Sequence, residues 1–361
     1  MRCGLASEMR RVVFLSHTEA GGVFRVGSHH LARELSRAGV EVHHVSTPYA
    51  SMHAVLRSRE GRGAAARRGL VKDDDGVLHL VPRSLLPLTI TGGWRSMRRA
   101  LKVVGADTAD FILVDQPLAA NALAPWWPAR IIYRPTDVYE TRVAAIRQAR
   151  IVSKSTAIVA TSSVVLDQLG PVGDRPAMIL SNGVEGEHFT RPRGSFAARG
   201  FVYVGALDSR FDWAAVRLLA TSFPDEKITL YGPNHAAPAE LPLNVELPGP
   251  ADYESLPRLL MESSVGLLPL VHSVLNEGRS PMKLYEYVAA GLPVLASRTS
   301  TILAANAKSV VFTYGSDSEL TRAAQVALDR GTLTSEETAN FIAEVDWRFK
   351  ANELRAFLES L

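Results

Sequence analysis

A lysine and a glutamate three positions apart are the residues of this sequence best placed to do chemistry. Lys283 and Glu286 lie in the stretch 280–297, SPMKLYEYVAAGLPVLAS, which predicts a loop, a helix and a buried strand. Ser280 is predicted to cap the helix, and Gly291 to end it. Residues three apart share a helix face, and the first turn of a helix favours anions. The pair therefore predicts a site where the lysine binds phosphate and the carboxylate binds sugar hydroxyl groups.

Such a site needs a rigid scaffold, and the sequence predicts two domains of α/β class. Short apolar segments alternate with helical ones, and strands are predicted at 11–16, 40–45, 111–114, 131–133, 158–160, 178–180, 201–204, 228–231, 245–247, 265–268, 294–296 and 310–312. This alternation is typical of doubly wound parallel sheets. We predict an N-terminal domain at 1–183, a nucleotide-sugar-binding domain at 184–335, and a C-terminal helix at 336–361 that packs back towards the first domain.

Composition narrows the class of protein and the kind of partner. The chain has 361 residues, of which 47% are hydrophobic and 21% charged, as in globular proteins. Its one cysteine, Cys3, excludes an internal disulfide and a cysteine-based metal cluster. Residues 1–190 hold 24 Lys and Arg against 17 Asp and Glu, whereas residues 191–361 hold 16 against 20. The basic first half predicts an anionic surface or ligand there.

Two basic patches, at 57–68 and 94–102, make a membrane surface one candidate partner. In the second patch Trp94, Met97 and Leu101 share one helical side, with arginines elsewhere. This pattern fits either a membrane-surface contact or an ordinary solvated helix. No apolar run approaches the roughly 18–20 residues of a transmembrane helix, and no signal-peptide pattern is present. We predict a cytoplasmic protein, peripheral on the inner face of the membrane.

Several short motifs resemble those of the GT-B glycosyltransferases. The motifs are Ser181-Asn182-Gly183-Val184 followed by Phe189, Tyr203-Val204-Gly205-Ala206-Leu207, Lys283-Leu284-Tyr285-Glu286-Tyr287 and Ala289-Ala290-Gly291-Leu292-Pro293-Val294. Within that group, Phe211-Asp212-Trp213 and the KLYEY motif look like the bacterial exopolysaccharide and teichuronic-acid branch. Three further motifs look like the xanthan-type glucuronosyltransferases: the loop at His17, Ser28-His29-His30-Leu31-Ala32 and Arg134-Pro135-Thr136-Asp137.

The resemblance implies a GT-B fold, with two Rossmann-like domains facing a cleft. It also implies a nucleotide-sugar donor, with UDP as the expected nucleotide, and catalysis without a cofactor or a metal ion. The residues expected to bind the donor are Met282, Lys283, Tyr285, Glu286, Gly205 and Arg210. Gly205 would let the backbone approach a phosphate, and Arg210 is the nearest cation in that loop. For Tyr285 a place in the core is an equal alternative.

In the first domain, Asp137 is the candidate general base of an inverting reaction. It follows a predicted strand, and it matches the position at which the resembling inverting family has its aspartate. A carboxylate there could accept the proton of the acceptor hydroxyl group. The alternative is a helix N-cap. The residues expected to contact the acceptor, a lipid-linked saccharide, are His17, Glu19, Gly21, Gly22 and Arg134.

One departure from the GT-B pattern bears on stereochemistry. Many retaining members carry two glutamates separated by seven residues, but here Gly278 stands where the first is expected and Glu277 is one residue away. A retaining hexosyltransferase nevertheless stays an alternative. So do a sugar-nucleotide epimerase and a non-catalytic nucleotide-sugar-binding partner. Charge alone would allow a nucleic-acid-binding protein, but no recognition motif supports one.

Overall fold

The computed structural model describes residues 9–19, 25–51, 66, 68–86, 88, 93–123, 127–190, 198–234, 237–305 and 309–361. The chain divides into two compact units. The first unit is Met1–Ser181 with Trp347–Leu361, and the second is Asn182–Asp346. The α/β class and the doubly wound parallel sheets predicted from the sequence are confirmed.

The first unit is built on a sheet of eight described strands in the order β10-β9-β8-β7-β1-β2-β5-β4, with a separate pair, β3 and β6. The strands are β1 (Arg11–Ser16), β2 (Glu41–Ser46), β3 (Tyr49–Ala50), β4 (Leu70–Lys72), β5 (Leu78–Leu80), β6 (Arg83–Ser84), β7 (Phe111–Val114), β8 (Arg130–Tyr133), β9 (Ala157–Ala160) and β10 (Ala177–Ile179). The helices are α1 (Gly27–Arg37), α2 (Gly93–Val103), α3 (Arg142–Lys154) and α4 (Ser163–Asp167). Only β4 runs antiparallel to its neighbour in this sheet.

Burial on both faces explains why the central strands read as continuous apolar segments. The strands β7 and β9 are buried along their whole length. A parallel strand that helices cover on both sides needs apolar side chains on both sides. Because β1, β7 and β8 are parallel, their carboxyl ends lie at one edge of the sheet. The loops that follow them carry the polar side chains described below.

The second unit contains a parallel sheet in the order β13-β12-β11-β14-β15-β16. Its strands are β11 (Phe201–Val204), β12 (Ile228–Tyr231), β13 (Val245–Gly249), β14 (Val265–Leu268), β15 (Val294–Ser297) and β16 (Val311–Tyr314). Its helices are α5 (Gly186–Phe189), α6 (Trp213–Ser222), α7 (Leu256–Met261), α8 (Val274–Glu277), α9 (Met282–Ala289), α10 (Ser300–Ala304), α11 (Asp317–Arg330) and α12 (Ser335–Val345).

The C-terminal segment, predicted as one helix, is two helices. The second, α13 (Trp347–Glu359), follows α12 after a break at Asp346, whose backbone is extended. The carboxylate of Asp346 accepts a hydrogen bond from the backbone N–H of Gly186 at 3.2 Å, and this contact holds the break. Helix α13 belongs to the first unit, where the ring of Trp347 stacks on His30 at 5.1 Å.

The apolar side of the basic helix α2 faces the protein core. Met97 and Leu101 are fully buried, and Trp94 packs against the same cluster. These side chains are therefore not free to enter a lipid surface, contrary to the predicted membrane contact. Most of the other basic patch, 57–68, lies outside the described residues. None of the described helices is both long and apolar enough to cross a membrane.

Candidate functional site

Helix α9 carries the predicted lysine and glutamate, and it begins one residue later than expected. The predicted cap at Ser280 is wrong, because Pro281 is the N-cap residue and makes no side-chain hydrogen bond. The hydroxyl group of Ser280 instead accepts a hydrogen bond from the backbone N–H of Asn182 at 3.1 Å. At the other end Gly291 has a φ of 80°, the left-handed conformation predicted to end the helix.

Lys283 lies in the first turn of α9, against the carboxyl end of β11. A Cβ atom built on Gly205 would lie only 2.4 Å from the Cε of Lys283 and 2.7 Å from the hydroxyl oxygen of Tyr203. Gly205 also has a φ of +155°. A larger side chain would displace the lysine, so the glycine motif of β11 and the lysine motif of α9 form one site.

The two predicted ligand-binding groups of α9 have no protein partner within the described part of the chain. No ion pair or side-chain hydrogen bond joins Lys283 or Glu286 to a described residue, although only 8% of Glu286 is exposed. Burial lowers the pKa of Lys283 to about 8, assisted by the positive charge of Arg279. Burial raises the pKa of Glu286, and the charge of Lys283 offsets part of that shift. A half-buried ammonium group and a buried carboxyl group are thus left to bind a polar ligand.

The lowered pKa of Lys283 predicts how nucleoside diphosphate binding depends on pH. As pH rises above about 8 the ammonium group loses its proton, and the attraction to a diphosphate is lost with it. We expect the Kd of UDP to rise with pH there, by up to about tenfold per unit. Calorimetric titrations between neutral pH and pH 10 would measure the slope. Lys283→Arg is the control, because arginine stays charged; the same slope in that variant would assign the dependence to another group.

Arg279 is a functional candidate that the sequence analysis did not single out. Its charge makes the largest electrostatic contribution to lowering the pKa of Lys283, so the two cations are close. Among the described residues no carboxylate pairs with it. By contrast, Arg210, which the sequence predicts to bind the donor, donates a hydrogen bond to Asp208 at 2.7 Å, so its guanidinium group is partly engaged. Arg279 lies between α8 and α9, outside both helices, so helical spacing provided no signal for it in the sequence.

The two other predicted residues of α9 differ in exposure. Met282 is half-buried, next to Lys283. Tyr285 is only 3% exposed, its ring stacks on Phe341 at 6.1 Å, and its hydroxyl group contacts that of Ser280 at 3.4 Å. Tyr285 therefore has the alternative role considered above, that of a core residue holding α9 in place.

Glu277 supports the neighbouring helix α10. Its carboxylate accepts hydrogen bonds from the backbone N–H of Ser300 at 2.8 Å and from the hydroxyl group of Ser300 at 2.7 Å. A carboxylate at a helix N-terminus satisfies free backbone donors. One carboxylate oxygen of Glu277 is thus engaged in a structural contact with the start of α10.

In the first unit Asp137 lies in the bend that follows β8, and it is half-buried. The alternative role as a helix N-cap does not apply, because α3 begins at Arg142 and Thr141 caps it, accepting from the backbone N–H of Ala144 at 3.2 Å. Within the described residues the carboxylate of Asp137 makes no hydrogen bond or ion pair. Its oxygens are therefore not committed to a structural contact with those residues.

Arg134, expected to contact the acceptor, is buried and paired with Asp115. Two of its nitrogens donate to the Asp115 carboxylate, at 2.8 and 3.1 Å, and 2% of the arginine is exposed. Asp115 directly follows β7, and the sequence analysis did not identify it as a candidate site residue. Breaking one partner of such a pair costs about 3–5 kcal/mol. The ion pair therefore links the carboxyl end of β7 to that of β8. This link fixes the start of the segment that leads to the bend at Asp137.

The loop after β1 lies beside a cavity of about 370 Å³. His17 is exposed and Glu19 is half-buried, lining the cavity, while Gly21 and Gly22 lie outside the described residues. Three histidines come together here, which sequence reasoning did not foresee: the ring of His44 lies 4.5 Å from that of His29 and 5.5 Å from that of His79. Burial lowers the pKa of His29 to about 4 and that of His44 well below its usual value, so both are neutral near pH 7.

No three His, Cys, Asp or Glu side chains are arranged to hold a metal ion in the parts of the chain that the structure describes. The turn Asp73-Asp74-Asp75 joins β4 to β5. One oxygen of Asp73 accepts from the backbone N–H of Val77 at 2.8 Å, and the other contacts His79 at 2.7 Å.

Part of the second unit is similar to a known family of proteins. Residues 198–330 match the family "Glycosyl transferases group 1". A protein of Bacillus subtilis (strain 168), TuaH, assigned as a teichuronic acid biosynthesis glycosyltransferase, is 28% identical over 191 residues. That match covers 47% of this chain and 48% of TuaH, so the chain matches about half the length of that relative.

Solved structures show the same fold over nearly the whole chain. The crystal structure of Anabaena Alr3699/HepE in complex with UDP-glucose has a TM-score of 0.70 and 12% identity, covering 97% of this chain and 100% of that one. A trehalose-6-phosphate structure from E. coli bound with UDP-2-fluoro glucose has a TM-score of 0.65 and 13% identity, covering 98% and 99%. The predicted resemblance to GT-B proteins, with two Rossmann-like domains, is confirmed.

Proposed function

Since this chain has the GT-B fold and its residues 198–330 match the family of group 1 glycosyl transferases, we propose that it transfers a sugar from a UDP-sugar to a lipid-linked saccharide. The observation that carries this proposal is the site on α9. There a half-buried cation and a buried carboxyl group, Lys283 and Glu286, lie one helical turn apart beside Gly205. Two similar structures contain UDP-sugars, which supports UDP as the nucleotide.

In the proposed mechanism the second unit binds the donor. Lys283 and Arg279 neutralise the diphosphate as the glycosidic bond to it breaks, and the free N–H groups at the start of α9 add to this stabilisation. The carboxyl group of Glu286 binds hydroxyl groups of the sugar. A metal-independent reaction follows from this use of cations and backbone donors.

Asp137 is the proposed base. It removes the proton of the acceptor hydroxyl group as that oxygen attacks the anomeric carbon, and the configuration of that carbon inverts. The departure from the retaining pattern at Gly278 favours inversion, and Glu277, one residue away, binds Ser300 at the start of α10 through one carboxylate oxygen. Glucuronic acid is the candidate sugar, since its carboxylate needs a cation and Arg279 is near Lys283.

The similarity to TuaH supports a role in the synthesis of a cell-surface polysaccharide. A location at the inner face of the membrane is part of this proposal, because the proposed acceptor carries a lipid. The test begins with thermal-shift screening of nucleotide sugars, UDP-glucuronic acid among them, followed by transfer to a membrane lipid extract. NMR of the product should show an inverted anomeric configuration. A retained configuration would favour the retaining alternative. Donor binding with neither transfer nor donor hydrolysis would favour a non-catalytic binding partner.

A further inference from the structure

A second cavity of the first unit, of about 600 Å³, is lined by arginines. Arg95 and Arg99 of α2 stand on one side, and Arg83 of β6 on the other. All three side chains belong to exposed residues. We call this cavity the arginine groove.

The arginine groove carries positive charge that no described carboxylate balances. Its lining residues include no aspartate or glutamate. Arg83 donates a hydrogen bond from Nε to the backbone carbonyl of Ala66 at 3.2 Å, and Arg95 lies over the ring of Trp94 at 5.5 Å. No ion pair joins Arg95 or Arg99 to a described residue. Like charges gathered in one concave site repel each other, so the groove favours a compact ligand of high negative charge, and guanidinium groups bind phosphate in a bidentate manner.

Apolar side chains are exposed next to these arginines. Leu85 is 81% exposed two residues after Arg83, and Val103, which lines the groove, is 66% exposed. Leu86 is also exposed. A ligand with phosphate groups at one end and a hydrocarbon chain at the other would satisfy both features of this surface.

The arginine groove adjoins the histidine-lined cavity described above. Gly69, Leu80 and Val81 line both. The histidine-lined cavity offers carboxylates and imidazoles, Asp74 and His79 among them, which suit the hydroxyl groups of a saccharide. A single ligand with a saccharide, phosphate groups and a lipid chain in that order would fit the two cavities together.

We propose that the arginine groove binds the diphosphate of a lipid-diphosphate-linked acceptor whose saccharide lies in the histidine-lined cavity. This inference rests on the proposed function, since it specifies the class of acceptor. It differs from a general attraction to anionic membranes, because confined arginines should prefer a diphosphate to the scattered single charges of phospholipid headgroups.

Vesicle binding by the full chain tests this proposal without donor or transfer. The probes are phosphatidylcholine vesicles containing a polyisoprenyl diphosphate, and vesicles of matched charge containing phosphatidylglycerol. We expect the wild-type protein to bind the diphosphate vesicles more tightly. The double variant Arg95→Ala/Arg99→Ala should bind them about thirtyfold more weakly, because each basic residue near a charged surface usually contributes about five- to sixfold to binding. Arg95→Lys/Arg99→Lys should restore part of that binding.

The matched control is Arg10→Ala/Arg130→Ala. It also removes two exposed arginines of the first unit, before β1 and at the start of β8, and it should bind the diphosphate vesicles as the wild type does. Melting temperatures would check that both variants fold. Equal binding of the two kinds of vesicle would overturn the proposal, as would unchanged binding by the Arg95→Ala/Arg99→Ala variant. This experiment measures binding and not transfer. A protein that binds the diphosphate vesicles but transfers no sugar would therefore contradict the proposed function and not this inference.

Discussion

Lys283→Ala is expected to lower kcat/KM for the nucleotide-sugar donor by about a hundred- to a thousandfold, the usual effect of removing one preorganised group that stabilises developing charge. The lysine lies in the first turn of α9 against Gly205, without a described carboxylate partner, so the protein itself does not need its charge. Measurement of UDP binding by calorimetry and of turnover by donor consumption would separate the effects on binding and on chemistry.

The matched control for this variant is Lys227→Ala. Lys227 belongs to the same unit, but its side chain is 55% exposed and pairs with Glu246 at 2.7 Å. Exposed ion pairs contribute little to stability, so this variant should behave as the wild type. Both proteins should melt within a few degrees of the wild type. Wild-type turnover in the Lys283→Ala variant would remove the lysine from the donor site.

Asp137→Asn is expected to keep donor binding and to lose about a hundred- to ten-thousandfold in kcat, the range that general-base catalysis contributes. The amide has nearly the same shape as the carboxylate but cannot accept the acceptor's proton. The carboxylate of Asp137 makes no described hydrogen bond, so the substitution should not disturb the bend after β8. Turnover with saturating acceptor and direct donor titration would be compared in the same preparation.

Asp174→Asn provides the control for this change. Asp174 is an exposed aspartate of the same unit, remote in sequence from β8, and the same substitution there should leave kcat unaltered. If Asp137→Asn turned over as fast as this control, the base would have to be another group. A parallel loss of donor binding would instead indicate a structural role for Asp137.

The scaffold could be predicted where burial alone determines the strand. The strands β1, β7, β11, β12 and β14 have the bounds predicted from the sequence, because a strand covered on both faces is a continuous apolar segment. The short strands β3 to β6 were missed. The strand β4 is exposed along its length, and only pairing with β5 makes it a strand. Such pairing depends on contacts that local periodicity does not record.

The candidate site also contains some residues that the sequence could predict and others that it could not. The pair Lys283 and Glu286 could be predicted because both lie on one helix, where three residues make nearly one turn. Local pattern could not predict that Arg134 pairs with Asp115, since the two lie 19 positions apart and meet through adjacent strands. For the same reason the approach of His29, His44 and His79 was not foreseen.

The sequence by itself determined the fold class, the two-domain organisation and the pair of α9 residues that we propose to bind the donor. These follow from short-range periodicity and from residues within one turn of a helix. Only the tertiary structure decided that Ser280 binds Asn182 instead of capping α9, that Glu277 supports α10, and that Met97 faces the core. In each case a polar or apolar side chain had several local uses, and the neighbour brought close by folding selected one of them.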